Sequence, residues 1–147
     1  MKSSIILLLI ATTSLFSQSI DYNTQKGFAA EGYDVVAYFD SIAIKGDKHF
    51  KTMYDGVKYK FASQEHLNTF LKNPKAYIPQ YGGYCAYAIA VDSKKVSINP
   101  KTFEIRDGKL YLFYNAWGTN TLKLWQKENV KGLQEKADKY WEALKIE

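Results

Sequence analysis

Two stretches of the chain alternate between apolar and polar residues, break at an Asp-Gly pair, and then alternate again. An Asp-Gly pair between alternating runs is a strong signal for a two-residue hairpin turn, because both central residues of that turn need positive φ. Each stretch therefore predicts a β-hairpin. The first hairpin is predicted over 49–61 around Asp55-Gly56, and the second over 103–114 around Asp107-Gly108.

Apolar residues at three- and four-residue steps predict two helices. The first helix is predicted to begin after Ser63, a good N-cap, and to end at Asn73-Pro74. The second is predicted over 130–144, with a shorter helical piece near 122–125 joining it at an angle. Hairpins packed against helices indicate a small α+β fold in which the C-terminal helix is amphipathic.

Periodicity does not decide between strand and helix at two apolar segments, 33–39 and 84–91. The second of these contains Cys85, the one cysteine of the chain, directly after Gly82-Gly83 and Tyr84. The paired glycines predict a backbone constraint, either positive φ or a close approach to a neighbouring element.

The N-terminus has the layout of a secretory signal peptide: Lys2, then an apolar run, then small residues at Ser17 and Ser19. We therefore expect residues 1–19 to be removed after Ser17 or Ser19 and the protein to be exported, periplasmic or secreted. The apolar run is too short for a membrane span, so none is expected in the mature form. The remaining 20–147 predict one domain, with its core at 32–125.

Composition excludes one class of partner and indicates which side chains form the core. The net charge is +5 and the basic residues are scattered, which excludes a nucleic-acid footprint. Twelve tyrosines, eight phenylalanines and three tryptophans predict an aromatic core. The tryptophans, which we expect in the core or at helix contacts, are Trp117, Trp125 and Trp141.

Candidate chemistry is confined to a few soft or borderline metal ligands. The chain has no nucleophile elbow, P-loop or dinucleotide-binding glycine pattern, and its scattered carboxylates form no assignable catalytic pair, so catalysis is not the first expectation. His49, His66 and Cys85 combine imidazole and thiolate, which suit copper or zinc, and Met53 lies near them in sequence. Their spacing forms no tight ligand motif. The alternatives are a surface His49, a hydrogen-bonded His66 at a helix edge, a small buried Cys85 and a Met53 in core packing.

Three segments together resemble the YHS domain family, and more closely its exported bacterial branch. They are GYDVVAYF, YDGVKYKFASQEHLNTFLKNPKAYIPQYGGYCAYA and DGKLYLFYN, within about Gly32 to Trp125. The resemblance implies a heavy-metal module. Metal-binding relatives carry a Phe-Cys-Ser triplet, a second cysteine three residues after the serine, and a third cysteine upstream. The positions that match the triplet and the second cysteine are Phe61, Ala62, Ser63 and His66.

The chain departs from that pattern because the matching positions hold no cysteine: Ala62 cannot ligate, and 33–37 contains no thiol. The ligands expected here are Cys85, His66 and, as a third, His49. We therefore expect an exported module that binds copper or zinc without catalysis. Two alternatives stay open: a thiol-redox protein that uses Cys85, and a non-catalytic domain for a small ligand or a protein partner, with Cys85 buried. Asp34 and Tyr38 are further candidates for lining a pocket.

Overall fold

A computed structural model describes residues 18–146 of the chain. Residues 1–17, which make up most of the predicted signal peptide, and Glu147 lie outside this range. Among the described residues, none of the helices combines the length and the apolar character needed to cross a membrane.

A four-stranded sheet forms one side of the domain. Its strands lie in the order β1-β2-β4-β3, with β2 and β4 parallel and the other neighbours antiparallel. The bounds are β1 Thr24–Gln25, β2 Phe28–Ala29, β3 Asp47–Tyr54 and β4 Val57–Phe61.

Both predicted hairpins are confirmed. The first joins β3 to β4, and the second joins β5, Asn99–Arg106, to β6, Lys109–Phe113. Both central residues of each turn have positive φ, as a type I′ turn requires: 49° and 76° at Asp55-Gly56, and 51° and 69° at Asp107-Gly108.

Four α-helices complete the described fold. They are α1 Gln64–Lys72, α2 Ala86–Asp92, α3 Thr121–Lys127 and α4 Val130–Leu144. The predicted N-cap is confirmed, since the Ser63 side chain accepts a hydrogen bond from the His66 N–H at 3.1 Å. The segment that periodicity left open at 84–91 is mostly helical, and the one at 33–39 ends in a short 3₁₀ turn, Ala37–Asp40.

Strand β6 separates two hydrophobic clusters, which explains why its sequence is apolar at successive positions. Leu110 and Leu112 face one cluster, which lies beneath the four-stranded sheet. Cys85 belongs to the same cluster. Tyr111 and Phe113 face the other cluster, among α2, α3 and α4. Successive side chains of a strand point to opposite faces of the sheet. A strand that is buried on both faces therefore has apolar residues at every position.

The tryptophans do not share one environment. Trp125 is fully buried, and the ring of Trp141 lies against those of Tyr81 and Tyr84. The prediction for Trp117 is wrong: it is 97% exposed in the turn between two short strands, β7 Asn115–Ala116 and β8 Thr119–Asn120. The turn holds the side chain outward, because Trp117 and Gly118 both have positive φ and form a tight reversal.

A partly buried carboxylate lies at the edge of the second cluster. Glu104 accepts two hydrogen bonds from Arg106, at 2.9 Å each, and one from the Trp125 indole at 3.0 Å. Burial alone would raise the pKa of Glu104, but the bonds from Arg106, Gln126 and Trp125 outweigh burial and hold this pKa below its usual range.

The lowered pKa predicts a pH-dependent role for Glu104. The unfolded chain binds the proton more tightly, so the stabilisation is complete above the unfolded pKa of about 4.3 and is lost as the pH falls through the lower folded pKa. We expect Glu104→Gln to lower the free energy of unfolding by about 1–3 kcal/mol at pH 7, since charged hydrogen bonds are lost. Urea unfolding at pH 7 and pH 3 should show this deficit shrinking in acid. Glu135→Gln on the exposed face of α4 is the control, and a deficit that does not change with pH would contradict the assignment.

The segment that follows the predicted cleavage sites is part of the folded domain. The Asp21 N–H donates to the Lys145 carbonyl at 2.7 Å, and the Asn23 N–H donates to the Gly82 carbonyl at 2.8 Å. The Asp21 carboxylate also accepts hydrogen bonds from Tyr84 and Lys95. The chain is therefore tied to the fold from residue 21 onward.

Candidate functional site

A buried aspartate organises the most distinctive polar cluster of the described chain. Asp34 is fully buried, and both of its carboxylate oxygens are satisfied. Oδ1 accepts the N–H groups of Val36 at 2.9 Å and Ala37 at 3.2 Å. Oδ2 accepts the Ala62 N–H at 2.7 Å and lies 2.7 Å from Nδ1 of His66. A buried charge is tolerated only with such partners, so this carboxylate joins two separate chain segments, the turn at 36–37 and the junction between β4 and α1.

Local sequence explains how these groups meet. An aspartate that accepts N–H groups two and three residues ahead forms a turn that starts a helix, here the 3₁₀ turn Ala37–Asp40. Ser63 caps α1 in a similar way and places His66 in the first turn of that helix. The junction between β4 and α1 brings the Ala62 N–H to the same carboxylate.

The His66 ring is oriented by this bond. A carboxylate only accepts hydrogen bonds, so Nδ1 of His66 carries the proton and donates to Asp34. In the neutral ring the lone pair is then on Nε2. The side chain is 26% exposed, so Nε2 can be reached from solvent. This Asp–His arrangement is the one that fixes metal-ligating histidines in proteins.

A second carboxylate, that of Asp40, lies near Nε2 of His66. Oδ2 of Asp40, at the end of the 3₁₀ turn, lies 4.0 Å from Nε2 of His66, and the Asp40 side chain is 67% exposed. The two carboxylates therefore differ in role: Asp34 is buried and holds the ring, whereas Asp40 is open to solvent beside the lone pair.

Cys85 lies in a different environment. Its thiol is fully buried in the cluster beneath the four-stranded sheet, 3.2 Å from the Thr121 hydroxyl. Thr121 uses its hydrogen to bond the Tyr114 carbonyl at 2.9 Å, so the thiol is the donor in its contact with Thr121. The Cys85 N–H also bonds the Val96 carbonyl at 2.9 Å. This environment is that of a small buried side chain and gives no access to an oxidant or a partner thiol.

His49 is a surface residue of β3. Its ring and its own N–H both bond the Asp47 carboxylate, at 2.6 and 2.8 Å, and its side chain is 71% exposed. Within residues 18–146, no three or more histidine, cysteine, aspartate or glutamate side chains are grouped so that they could hold a metal ion. The structure thus does not gather Cys85, His66 and His49 into one such group.

Met53 and Tyr38 are also candidates on the basis of the sequence. Met53 is 62% exposed on β3 rather than packed in the core. Tyr38 is fully buried, and its hydroxyl donates to the Pro100 carbonyl at 2.6 Å. Burial raises the pKa of Tyr38 far above its usual range, so the phenol stays neutral.

Sequence reasoning named Asp34 only as a pocket candidate and did not identify Asp40. A signal for Asp34 exists, because an acidic residue inside an otherwise apolar run must be either exposed or fully bonded. Asp40 carries no such signal, since it is one of fifteen acidic residues and is exposed.

Comparison with known proteins supports part of the resemblance. The family model for the YHS domain matches residues 35–81, which is less than half of the chain and includes Asp40 and His66 but not Cys85. No curated protein and no solved structure matches the chain.

Proposed function

We propose that this domain binds a divalent transition-metal ion through Nε2 of His66, with Asp40 as a second ligand. The observation that carries the proposal is the bond from Nδ1 to the buried Asp34, which leaves a fixed and accessible lone pair on Nε2. A carboxylate behind a ligating histidine also raises the basicity of the ring and hence its affinity for a metal ion.

The spacing of the two donors fits one ion. Zinc–nitrogen and zinc–oxygen bonds of about 2.0–2.2 Å in a tetrahedral site place two donors roughly 3.3 Å apart. The observed separation between Nε2 of His66 and Oδ2 of Asp40 is 4.0 Å, and the exposed Asp40 side chain can rotate to close the difference. Two protein ligands leave the remaining positions to water, so the proposed site exchanges its ion readily.

Donor chemistry favours zinc(II) or copper(II). Imidazole and carboxylate suit these ions, whereas copper(I) prefers thiolates, and the thiol of Cys85 is buried. The YHS match supports a metal ion in general, because the resemblance implies a heavy-metal module. The wider ligand set of Cys85, His66 and His49 stays a prediction.

Export is part of the proposal. It rests on the signal-peptide layout of residues 1–19. It is consistent with the structure, in which the backbone is hydrogen-bonded to the rest of the domain from Asp21 onward. The burial of Cys85 also bears on the alternatives: it favours a non-catalytic domain over a thiol-redox protein, which needs an accessible thiolate.

The test is a calorimetric titration of the protein with zinc(II) and with copper(II). We expect one ion per chain in the unsubstituted protein. His66→Asn is the informative variant, because the Asn amide can still donate to Asp34 but offers no group in the place of Nε2. It should abolish binding without unfolding the domain, and Asp40→Asn should weaken binding by about tenfold, or about 1.4 kcal/mol.

Two further variants distinguish the ligand sets. His49→Gln and Cys85→Ser should leave the affinity unchanged if His66 and Asp40 form the site. Losses in those variants equal to that in His66→Asn would favour the wider set. Unchanged binding in His66→Asn would refute the proposed site. No binding in the unsubstituted protein would refute metal binding and favour the interaction domain.

A further inference from the structure

The outer face of the four-stranded sheet, opposite the core, carries an unusual set of side chains. Cross-strand partners point to the same face of a sheet, and here Phe28 pairs with Lys58, Met53 with Lys58, and Lys51 with Lys60. The residues between them on β4 point inward and are buried. Two apolar side chains and three lysines therefore share this outer face.

Positive charge outweighs negative charge on this face. Lys51 and Lys60 are direct cross-strand partners, an arrangement that is unfavourable for like charges. Glu31 is an acidic residue at the rim and interacts electrostatically with Lys45. Within the described chain, the three lysines of this face and two more at its rim form no ion pair or side-chain hydrogen bond with another residue. They are Lys26, Lys45, Lys51, Lys58 and Lys60.

An aromatic ring holds two of these ammonium groups in place. Nζ of Lys60 lies 4.1 Å and Nζ of Lys58 5.6 Å from the centroid of the Phe28 ring. Such cation–π contacts fix the charges over an apolar floor while their hydrogen-bond donors stay available. The free protein thus keeps unfavourable like charges close together at defined positions.

The face is concave on both sides of Phe28. One cavity of about 410 Å³ is lined by Phe28, Met53, Lys51 and Lys58. A second of about 210 Å³ is lined by Phe28, Lys45 and Lys60 and also by the acidic residue Glu31, so the larger cavity is the better place for an anionic group. The larger cavity has the size of a small-molecule site, and the smaller one extends the same surface. An apolar floor and a rim of ammonium groups are thus combined in one surface.

We propose that the outer face binds an anionic amphiphile, a molecule with a carboxylate or phosphate group and a short apolar chain. The lysines bind the anionic group, and the chain lies over Phe28 and Met53. An extended polyanion would not use the apolar floor. A bilayer surface needs several protruding apolar side chains, whereas Met53 is the one exposed apolar side chain of the pair and Phe28 is half-buried at the bottom of the face.

Titrations observed by NMR test this proposal with four probes: octyl phosphate, inorganic phosphate, octanol and vesicles of phosphatidylglycerol. We expect octyl phosphate to bind at least about tenfold more tightly than either inorganic phosphate or octanol, because it alone engages both parts of the face. Similar affinities for octyl phosphate and octanol would overturn the proposal. Binding to the vesicles without binding to octyl phosphate would do so too, and would indicate a membrane surface as the partner.

A double substitution assigns the site. Lys51→Gln with Lys60→Gln should weaken octyl phosphate binding by about tenfold. The melting temperature should change little, because the loss of the repulsion between the two lysines offsets the loss of the contact between Lys60 and Phe28. Lys136→Gln with Lys139→Gln, two exposed lysines of α4, is the matched control. Equal losses in the two double variants would refute a site on the outer face. His66→Asn should leave this binding unchanged.

Discussion

Replacing Asp34 with alanine is expected to lower the free energy of unfolding by about 3–5 kcal/mol, the usual cost of breaking a buried ionic network. The carboxylate satisfies the N–H groups of Val36, Ala37 and Ala62 and the ring of His66. Alanine leaves these donors facing a space without an acceptor. Urea unfolding followed by circular dichroism measures the loss.

Asp34→Asn distinguishes the structural role of this residue from its role at the proposed metal site. The amide keeps the shape, but its NH₂ group must face either the Ala62 N–H or the backbone turn, which are both donors. We expect a smaller stability loss of about 2–3 kcal/mol. The affinity for zinc(II) should fall by about 10–100-fold, because the histidine loses its carboxylate partner.

Asp40→Asn is the matched control for the aspartate variants. Its side chain is 67% exposed, so we expect a stability change within about 0.5 kcal/mol together with the weaker zinc binding predicted above. In the proposed site, Asp34 acts through the ring of His66, whereas Asp40 would contact the ion. A loss of stability in Asp40→Asn as large as that in Asp34→Ala would show that the two carboxylates do not have these separate roles.

The sequence predicted the elements whose signals are local. The Asp-Gly turns fix both hairpins because few residues accept positive φ at two successive positions. Ser63 and Asn73-Pro74 bound α1 because capping and the proline depend only on near neighbours. The α+β class follows from these elements, and the structure confirms it.

The site could not be predicted in the same way. Asp34 and His66 are separated by 32 positions, and no local pattern connects a turn near the start of the domain with the first turn of α1. The environment of Cys85 depends on Thr121, 36 positions away. The sequence identifies which side chains have metal-ligating chemistry, but the fold alone decides that the partner of His66 is a carboxylate rather than a thiol.

The paired glycines before Cys85 lead to the second large prediction. Positive φ and close approach both occur here, as the sequence predicts. Gly82 has a φ of +60°, and a Cβ there would lie 2.7 Å from the Asp21 carbonyl oxygen and 2.8 Å from the Trp141 ring. At Gly83, with a φ of +80°, the nearest neighbour of a Cβ would be 3.8 Å away. Alanine at Gly83 would therefore introduce backbone strain alone, whereas alanine at Gly82 would introduce both backbone strain and a steric clash.

We expect Gly82→Ala to lower the free energy of unfolding by about 2–4 kcal/mol, because the left-handed backbone costs about 1–2 kcal/mol and the contact with backbone adds to it. Gly83→Ala should show only the first part, about 1–2 kcal/mol. Thermal and urea unfolding of the two variants measure the difference. Gly82→Ala should also increase proteolysis near Asp21, since the inserted methyl group separates the N-terminal segment from the domain. Equal losses in the two variants would mean that the segment moves aside freely and that the close approach at Gly82 does not hold it.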